Sequence, residues 1–215
     1  MVLTGIALLG VILPFAVKIP IVKEFVGDYE LLLFVYVINI CYFCRNKRIE
    51  FMEERKIVTS ILVYSYDELS EQYRQLIDEA KRVTGDAYAP YSKFHVGAAV
   101  LLENGEIVSG TNQENAAYPS GLCAERVTMF YANSKYPNVA PKALAIATFA
   151  GGDFLDEPIT PCGACRQVLL ESEMRYGVDI DVLLFGRKGV YVVKSVKALL
   201  PLSPLQRFLF GCHPL

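Results

Sequence analysis

From about residue 61 onward, strand signals alternate with helix signals along this 215-residue chain, and that alternation predicts an α/β fold with helices on both faces of a sheet. Three observations carry the prediction. Short apolar runs bounded by turn residues read as buried strands. Patterns of helical period stand between them. The composition also changes near residue 50, from long uncharged stretches to an ordinary mixed domain.

The elements follow in order. Ser65-x-x-Glu68 matches a capping box, and Leu69, Tyr73, Leu76, Ile77, Ala80 and Val83 continue it at helical spacing. Gly85 is placed to stop this first helix in a left-handed conformation. His95–Leu102 reads as a buried strand, Asn104-Gly105 as a hairpin turn, and Ile107–Thr111 as the return strand. After the loop residues Pro119, Ser120 and Gly121, a helix starts near Cys123 with Val127, Phe130 and Tyr131 on one face. Ala143–Phe149 is an apolar strand, and Gly151, Gly152 and Asp153 open a loop that ends at Pro161. A further helix runs from about Cys162 to Met174. Ile180–Phe185 and Val190–Val193 complete the strands, and Ser195–Leu200 reads as a short helix halted by Pro201.

The first fifty-one residues stand apart. Residues 1–17 and 31–44 carry no charge, and Arg45, Lys47 and Arg48 follow the second stretch. Three readings stay open for 1–51: an upstream extension with Met52 as the true start, a membrane hairpin, or a soluble or interfacial helical extension. The basic cluster would keep residues 52–215 on the cytoplasmic side of any membrane. A secretory signal fits poorly, because no basic residue precedes the apolar run.

Charge narrows the partners. The chain holds 21 basic and 23 acidic residues, a formal net charge of −2. No basic excess favours a polyanion, so nucleic acid is not an expected partner. Of six cysteines, three lie in two clusters, Cys123-Ala124-Glu125 and Pro161-Cys162-Gly163-Ala164-Cys165. Cys41 and Cys44 have apolar neighbours and read as buried or lipid-facing thiols, and Cys212 lies in the tail. The clustered spacing fits a metal centre in a reducing compartment better than a disulfide scaffold.

Three thiolates hold a zinc ion and leave its fourth tetrahedral position open, while a carboxylate two residues from one ligand moves protons there. That is the C-x-E…P-C-x-x-C zinc deaminase pattern. Cys123 and the Cys162/Cys165 pair each fall at an expected helix N-terminus, whose partial positive charge favours the thiolate. Three thiolates overcompensate a divalent ion. Arg126, directly after Glu125, is expected to draw charge off a ligand sulfur, and Arg166 reads as a surface arginine. A purely structural zinc staple is the alternative, but it would be closed by a fourth ligand, and neither His95 nor His213 fits one.

With these residues in hand, the chain resembles cytidine deaminases of the homotetrameric, three-cysteine zinc class over about Ile61 to Pro201. Four blocks carry the likeness: Ala89-Pro90-Tyr91-Ser92-Lys93-Phe94 with Val96-Gly97-Ala98-Ala99, Asn112-Gln113-Glu114-Asn115-Ala116, Gly121-Leu122-Cys123-Ala124-Glu125-Arg126, and Pro161-Cys162-Gly163-Ala164-Cys165-Arg166-Gln167. The resemblance implies a three-layer α/β/α sandwich with a five-stranded mixed sheet. It implies hydrolytic deamination of cytidine and deoxycytidine in cytoplasmic pyrimidine salvage, with one Zn²⁺ per subunit. It makes Cys123, Cys162 and Cys165 the zinc ligands and Glu125 the proton shuttle. Asn112 and Glu114 hold the ribose hydroxyls, Phe94 stacks on the pyrimidine, and Ala124 offers a backbone N–H to the base. Tyr91 and Tyr118 match positions near active sites at subunit interfaces. The tail after Pro201 departs from the family's usual short aromatic, acidic end. Two rival readings are an enzyme of the same superfamily with another substrate, and a membrane-tethered zinc-binding module without catalysis.

Overall fold

A computed structural model describes Glu54 and residues 56–202. The expectations for residues 1–51, for Cys41 and Cys44, and for the tail containing Cys212 and His213 lie outside the described residues. The chain divides into two units at Lys56/Ile57, and everything below concerns the second. Among the described residues, no helix is long and apolar enough to cross a membrane.

The architecture is a mixed sheet between helical layers. Its strands are β1 (Leu62–Tyr64), β2 (His95–Leu102), β3 (Ile107–Thr111), β4 (Pro141–Ala150), β5 (Asp153–Phe154), β6 (Asp181–Gly186) and β7 (Gly189–Val193). The helices are α1 (Glu71–Val83), α2 (Ala124–Lys135) and α3 (Gly163–Tyr176). The sheet runs β1-β7-β6-β4-β2-β3, with β5 paired to β4. The five expected strands are all present, and two short ones extend the sheet to seven. β1 and β5 are 3 and 2 residues long, too short to show a period in sequence.

Strand alternation sorts the core into two layers. Ala98, Val100 and Leu102 of β2 meet Leu144 and Ile146 of β4, Ala124 and Met129 of α2, and Leu169 and Leu170 of α3. Ala99 and Leu101 turn the other way, toward Leu76, Ile77 and Ala80 of α1. α1 therefore covers one face, and α2 with α3 covers the other.

Local chemistry refined several boundaries. The Ser65/Glu68 box forms, with Ser65 N and Oγ both donating to Glu68 Oε2 at 2.8 and 2.9 Å, but it closes on a 3-10 turn at Tyr66–Glu68. α1 starts later, and Ser70 Oγ caps it by accepting from Tyr73 N. Gly85 is not left-handed: Thr84 caps α1 in a helical conformation, and a 3-10 turn Thr84–Asp86 follows. The left-handed helix stop is Gly177 (φ 68), whose N–H reaches Glu173 O at the end of α3. The face expected for α2 is also corrected. Ala124, Glu125, Thr128, Met129 and Ala132 are its buried residues, whereas Phe130 and Tyr131 are about half exposed. The β2–β3 connection is a three-residue loop, with Leu102 N bonded to Glu106 O and Gly105 at φ 86. Ser195–Leu200 holds only a 3-10 turn, Val196–Ala198.

Glu173 secures the far end of α3. It is 2% exposed, and its Oε1 accepts from Ile180 N and Val196 N at 2.8 Å each, while Oε2 accepts from Ser195 Oγ. A buried carboxylate is tolerable when its lone pairs are filled in this way.

Gly97 sets how closely α1 lies on the sheet. A Cβ there would sit 2.0 Å from Ala80 O, a backbone atom, and 2.9 Å from Val83 Cγ2. Gly97→Ala therefore forces α1 away from β2 and is expected to cost about 1–3 kcal/mol, the usual range for overpacking. Urea unfolding measures this, and a variant as stable as the parent would show that α1 shifts freely.

Candidate metal and catalytic site

Topology brings the cysteines together. β3 and β4 both run antiparallel to β2, and β4 runs parallel to β6. The chain thus passes β3–α2–β4–α3–β6 with three parallel strands, stepping in one direction across the sheet. Successive right-handed crossovers in one direction place their helices on the same face. Both helices then begin beyond the C-terminal ends of the strands that feed them, so their N-termini meet.

Cys123 is the N-cap of α2, Cys162 is the N-cap of α3, and Cys165 lies in the first turn of α3. Their sulfurs all lie within 4.8 Å of one another: Cys123 Sγ to Cys162 Sγ is 3.8 Å, and Cys162 Sγ to Cys165 Sγ is 3.4 Å. Zinc–sulfur bonds of about 2.3 Å at tetrahedral angles separate sulfurs by about 3.8 Å, so the donor set fits that ion. Among the described residues no other group of His, Cys, Asp and Glu is so placed, and no fourth donor joins these three.

The electrostatics are those of thiols sharing protons. Hydrogen bonding from Cys165, with help from Arg126 and Cys162, brings the Cys123 thiol down to about 5. The same bond, with burial, pushes the Cys165 thiol upward. Arg126 Nη2 lies 3.9 Å from Cys123 Sγ, and its Nε is buried with no hydrogen-bond partner among the described residues. The guanidinium thus spends its charge on the sulfur cluster.

Glu125 sits in the first turn of α2 and is 6% exposed. Burial raises its carboxyl above the ordinary range, and the nearby Cys123 charge adds to the rise. Ala124 is fully buried beside Glu125.

The remaining expected site residues flank this centre. Gln113 exchanges two backbone hydrogen bonds with Leu122, both 2.9 Å, so Asn112–Glu114 runs alongside the residue preceding Cys123. Asn112 bonds the backbone of Phe94 and Val96, and Glu114 Oε2 accepts from Tyr91 N at 2.9 Å. Hydrogen bonds from Ser92 hold the Glu114 carboxyl below its ordinary range. Phe94 packs on the core cluster that includes Ala124. Tyr91 and Tyr118 are 62% and 90% exposed, on the surface and not in the core. A surface depression lined by Phe130, Asn133, Val168, Glu171, Ser172 and Arg175 shares no residue with the site.

Arg166 carries more than its position in sequence suggests. Its Nε donates to Pro161 O at 2.8 Å, Nη2 to Thr160 Oγ1 at 3.1 Å, and Nη1 to Leu199 O at 3.0 Å. It ties the loop before Cys162 to the end of the 3-10 turn after β7, so it is not a free surface arginine. Its partner Leu199 lies 33 residues away, and no local spacing signals that contact.

Comparison with known proteins agrees with this geometry. Residues 70–178 match the cytidine and deoxycytidylate deaminase zinc-binding region. The chain is 43% identical over 127 residues to a cytidine deaminase of Sporosarcina psychrophila, covering 59% of this chain and 87% of the relative. It is 40% identical over 128 residues to one of Halalkalibacterium halodurans, covering 60% and 90%. A crystal structure of cytidine deaminase from Burkholderia pseudomallei superposes with a TM-score of 0.52 at 38% identity, covering 61% of this chain and 98% of that one.

Replacing Cys165 by Ser exchanges a soft donor for a hydroxyl. Metal content, read by elemental analysis, is expected to fall from about one ion per chain toward zero. Full retention in Cys165→Ser would remove this thiol from the donor set.

Proposed function

The chain belongs to the cytidine and deoxycytidylate deaminase family, and from that premise we propose that it hydrolyses cytidine and deoxycytidine to uridine and deoxyuridine with release of ammonia. The observation that carries this reading is the buried Glu125 carboxyl beside three sulfurs that suit one zinc ion per chain. Cys123, Cys162 and Cys165 would hold that ion. When bound, it supplies the Lewis acidity that brings the pKa of water to about 7.

The protein's own groups do the rest. Glu125 takes a proton from the attacking water and delivers it to ring N3 as the new C4–O bond forms. It then takes the remaining proton from the C4 hydroxyl and passes it to the exocyclic amine, so that the C4–N4 bond breaks as the C4 carbonyl forms and ammonia leaves. Its raised pKa suits both acts, since the group must be base and acid in one cycle. Arg126 draws charge from the Cys123 sulfur and so tempers three thiolates on one divalent ion. Phe94 stacks on the pyrimidine, the Ala124 N–H meets the base, and Asn112 with Glu114 meets the sugar hydroxyls. The carboxylate acceptor and the amide donor of that last pair favour a nucleoside over a free base.

Pyrimidine nucleoside salvage in the cytoplasm is the role that this chemistry serves, with residues 52–215 as the deaminase domain and 1–51 as an extension. A homotetramer is the proposed assembly. Support comes from the exposed Tyr91 and Tyr118 beside the Glu114 segment, which a neighbouring subunit would cover. Membrane association enters only if residues 1–51 are expressed and insert. Nucleic acid is not proposed as a partner.

Purified protein is expected to convert cytidine to uridine. Glu125→Gln is expected to lower kcat by about 10³-fold while keeping the metal, within the range that general acid–base groups contribute. Parent-like turnover by the variant would remove Glu125 from the mechanism.

A further inference from the structure

Asn112 and Glu114 both spend their hydrogen bonds on one short segment, Tyr91–Val96. Asn112 Oδ1 accepts from Val96 N at 2.8 Å, and its Nδ2 donates to Phe94 O at 2.9 Å. Glu114 Oε2 accepts from Tyr91 N at 2.9 Å and Ser92 N at 3.3 Å. The segment adds its own bonds, Phe94 N to Ser92 Oγ at 3.0 Å and Lys93 N to Ala89 O at 3.1 Å. Between the two sets of anchors stands Lys93, at φ 57 the only non-glycine residue with positive φ among the described residues.

A lysine in the left-handed region carries a steric penalty, because its Cβ crowds the following carbonyl oxygen. Such a conformation persists where the surroundings over-determine it. Here the surroundings are the side chains of Asn112 and Glu114, one anchoring each side of Lys93. The turn delivers Phe94 onto the core cluster that contains Ala124, next to Cys123.

We propose that Asn112 and Glu114 are positioning residues for Phe94: they hold Lys93 left-handed and so fix the ring against which the pyrimidine stacks. The proposal rests on the function proposed above and deepens it, because the sugar side and the base side of the pocket become one mechanical unit. A carboxamide keeps one further N–H and lone pair, so contact with a ribose hydroxyl is additional to this role. The two roles separate when the substrate loses its 3′-hydroxyl. A sugar contact then has nothing to lose, whereas a misplaced ring is felt by either substrate.

The test compares cytidine with 3′-deoxycytidine. Asn112→Ala is expected to lower kcat/KM by about ten-fold or more on both substrates, the scale of a misplaced binding group. Lys93→Val puts a β-branched residue in the left-handed region and is expected to do the same without touching Asn112. Adding Lys93→Gly to Asn112→Ala is expected to restore part of the loss, since glycine adopts this conformation freely. A loss below about five-fold on 3′-deoxycytidine for Asn112→Ala, or for Lys93→Val where the first variant does not fold, overturns the proposal; larger losses support it. Crystal structures of the variants give a reading independent of turnover. A displaced Phe94 ring supports the proposal and a ring left in place overturns it, even if the parent proves inactive on cytidine and the functional reading fails.

Discussion

Two helices that start at the same place hold this molecule's chemistry together. Because β3, β4 and β6 are parallel and are taken in one direction across the sheet, α2 and α3 lie on one face with their N-termini converging. Each N-terminus presents unbonded N–H groups and partial positive charge. Three sulfurs held within 4.8 Å gather negative charge at that spot, and the helix ends offset it. Ligands in α/β proteins sit beyond the C-terminal ends of parallel strands for the same reason.

The support around this centre is layered. Gly97 lets α1 press on the opposite face of the sheet, with no room for a Cβ against Ala80 O. Gly110 does the corresponding service for α2, where a Cβ would stand 2.9 Å from Thr128 Oγ1 and 3.2 Å from Thr128 N. Glu173 fastens the distant end of α3 to the turn after β7. Arg166 fastens its near end to Leu199 in the same region. α3, which carries two of the three sulfurs in its first turn and N-cap, is therefore tied at both ends to one segment.

Glu125 and Arg126 show how adjacent residues acquire opposite tasks. Both begin α2, yet one is buried and pushed toward its neutral form while the other faces a sulfur. Burial raises the pKa of the carboxyl above its ordinary range. The guanidinium keeps its charge and lowers the electron density of Cys123. Asn112 and Glu114 hold the backbone of the segment that carries Phe94.

Much of this was legible in the residues. The major strands announce themselves because apolar runs and turn residues are local signals, and the C-x-x-C spacing places two thiols on one helix start without any fold. The sulfur cluster, Glu125 and Arg126 follow from short-range pattern combined with metal chemistry. Other features needed the folded chain. β1 exists because β7 offers it an open sheet edge, and β5 because the end of β4 runs past its pairing with β6. The buried face of α2 turned on Met129 and Thr128, not on the bulkier Phe130 and Tyr131, since contact with β2 and β3 decides burial where aromatic size does not. Arg166 and Lys93 gained their roles from partners 33 residues away and from a left-handed turn imposed by side chains of a later segment. Local order along the chain dictates period, caps and ligand spacing; which distant backbone groups a side chain meets is decided only when the sheet brings them within hydrogen-bonding reach.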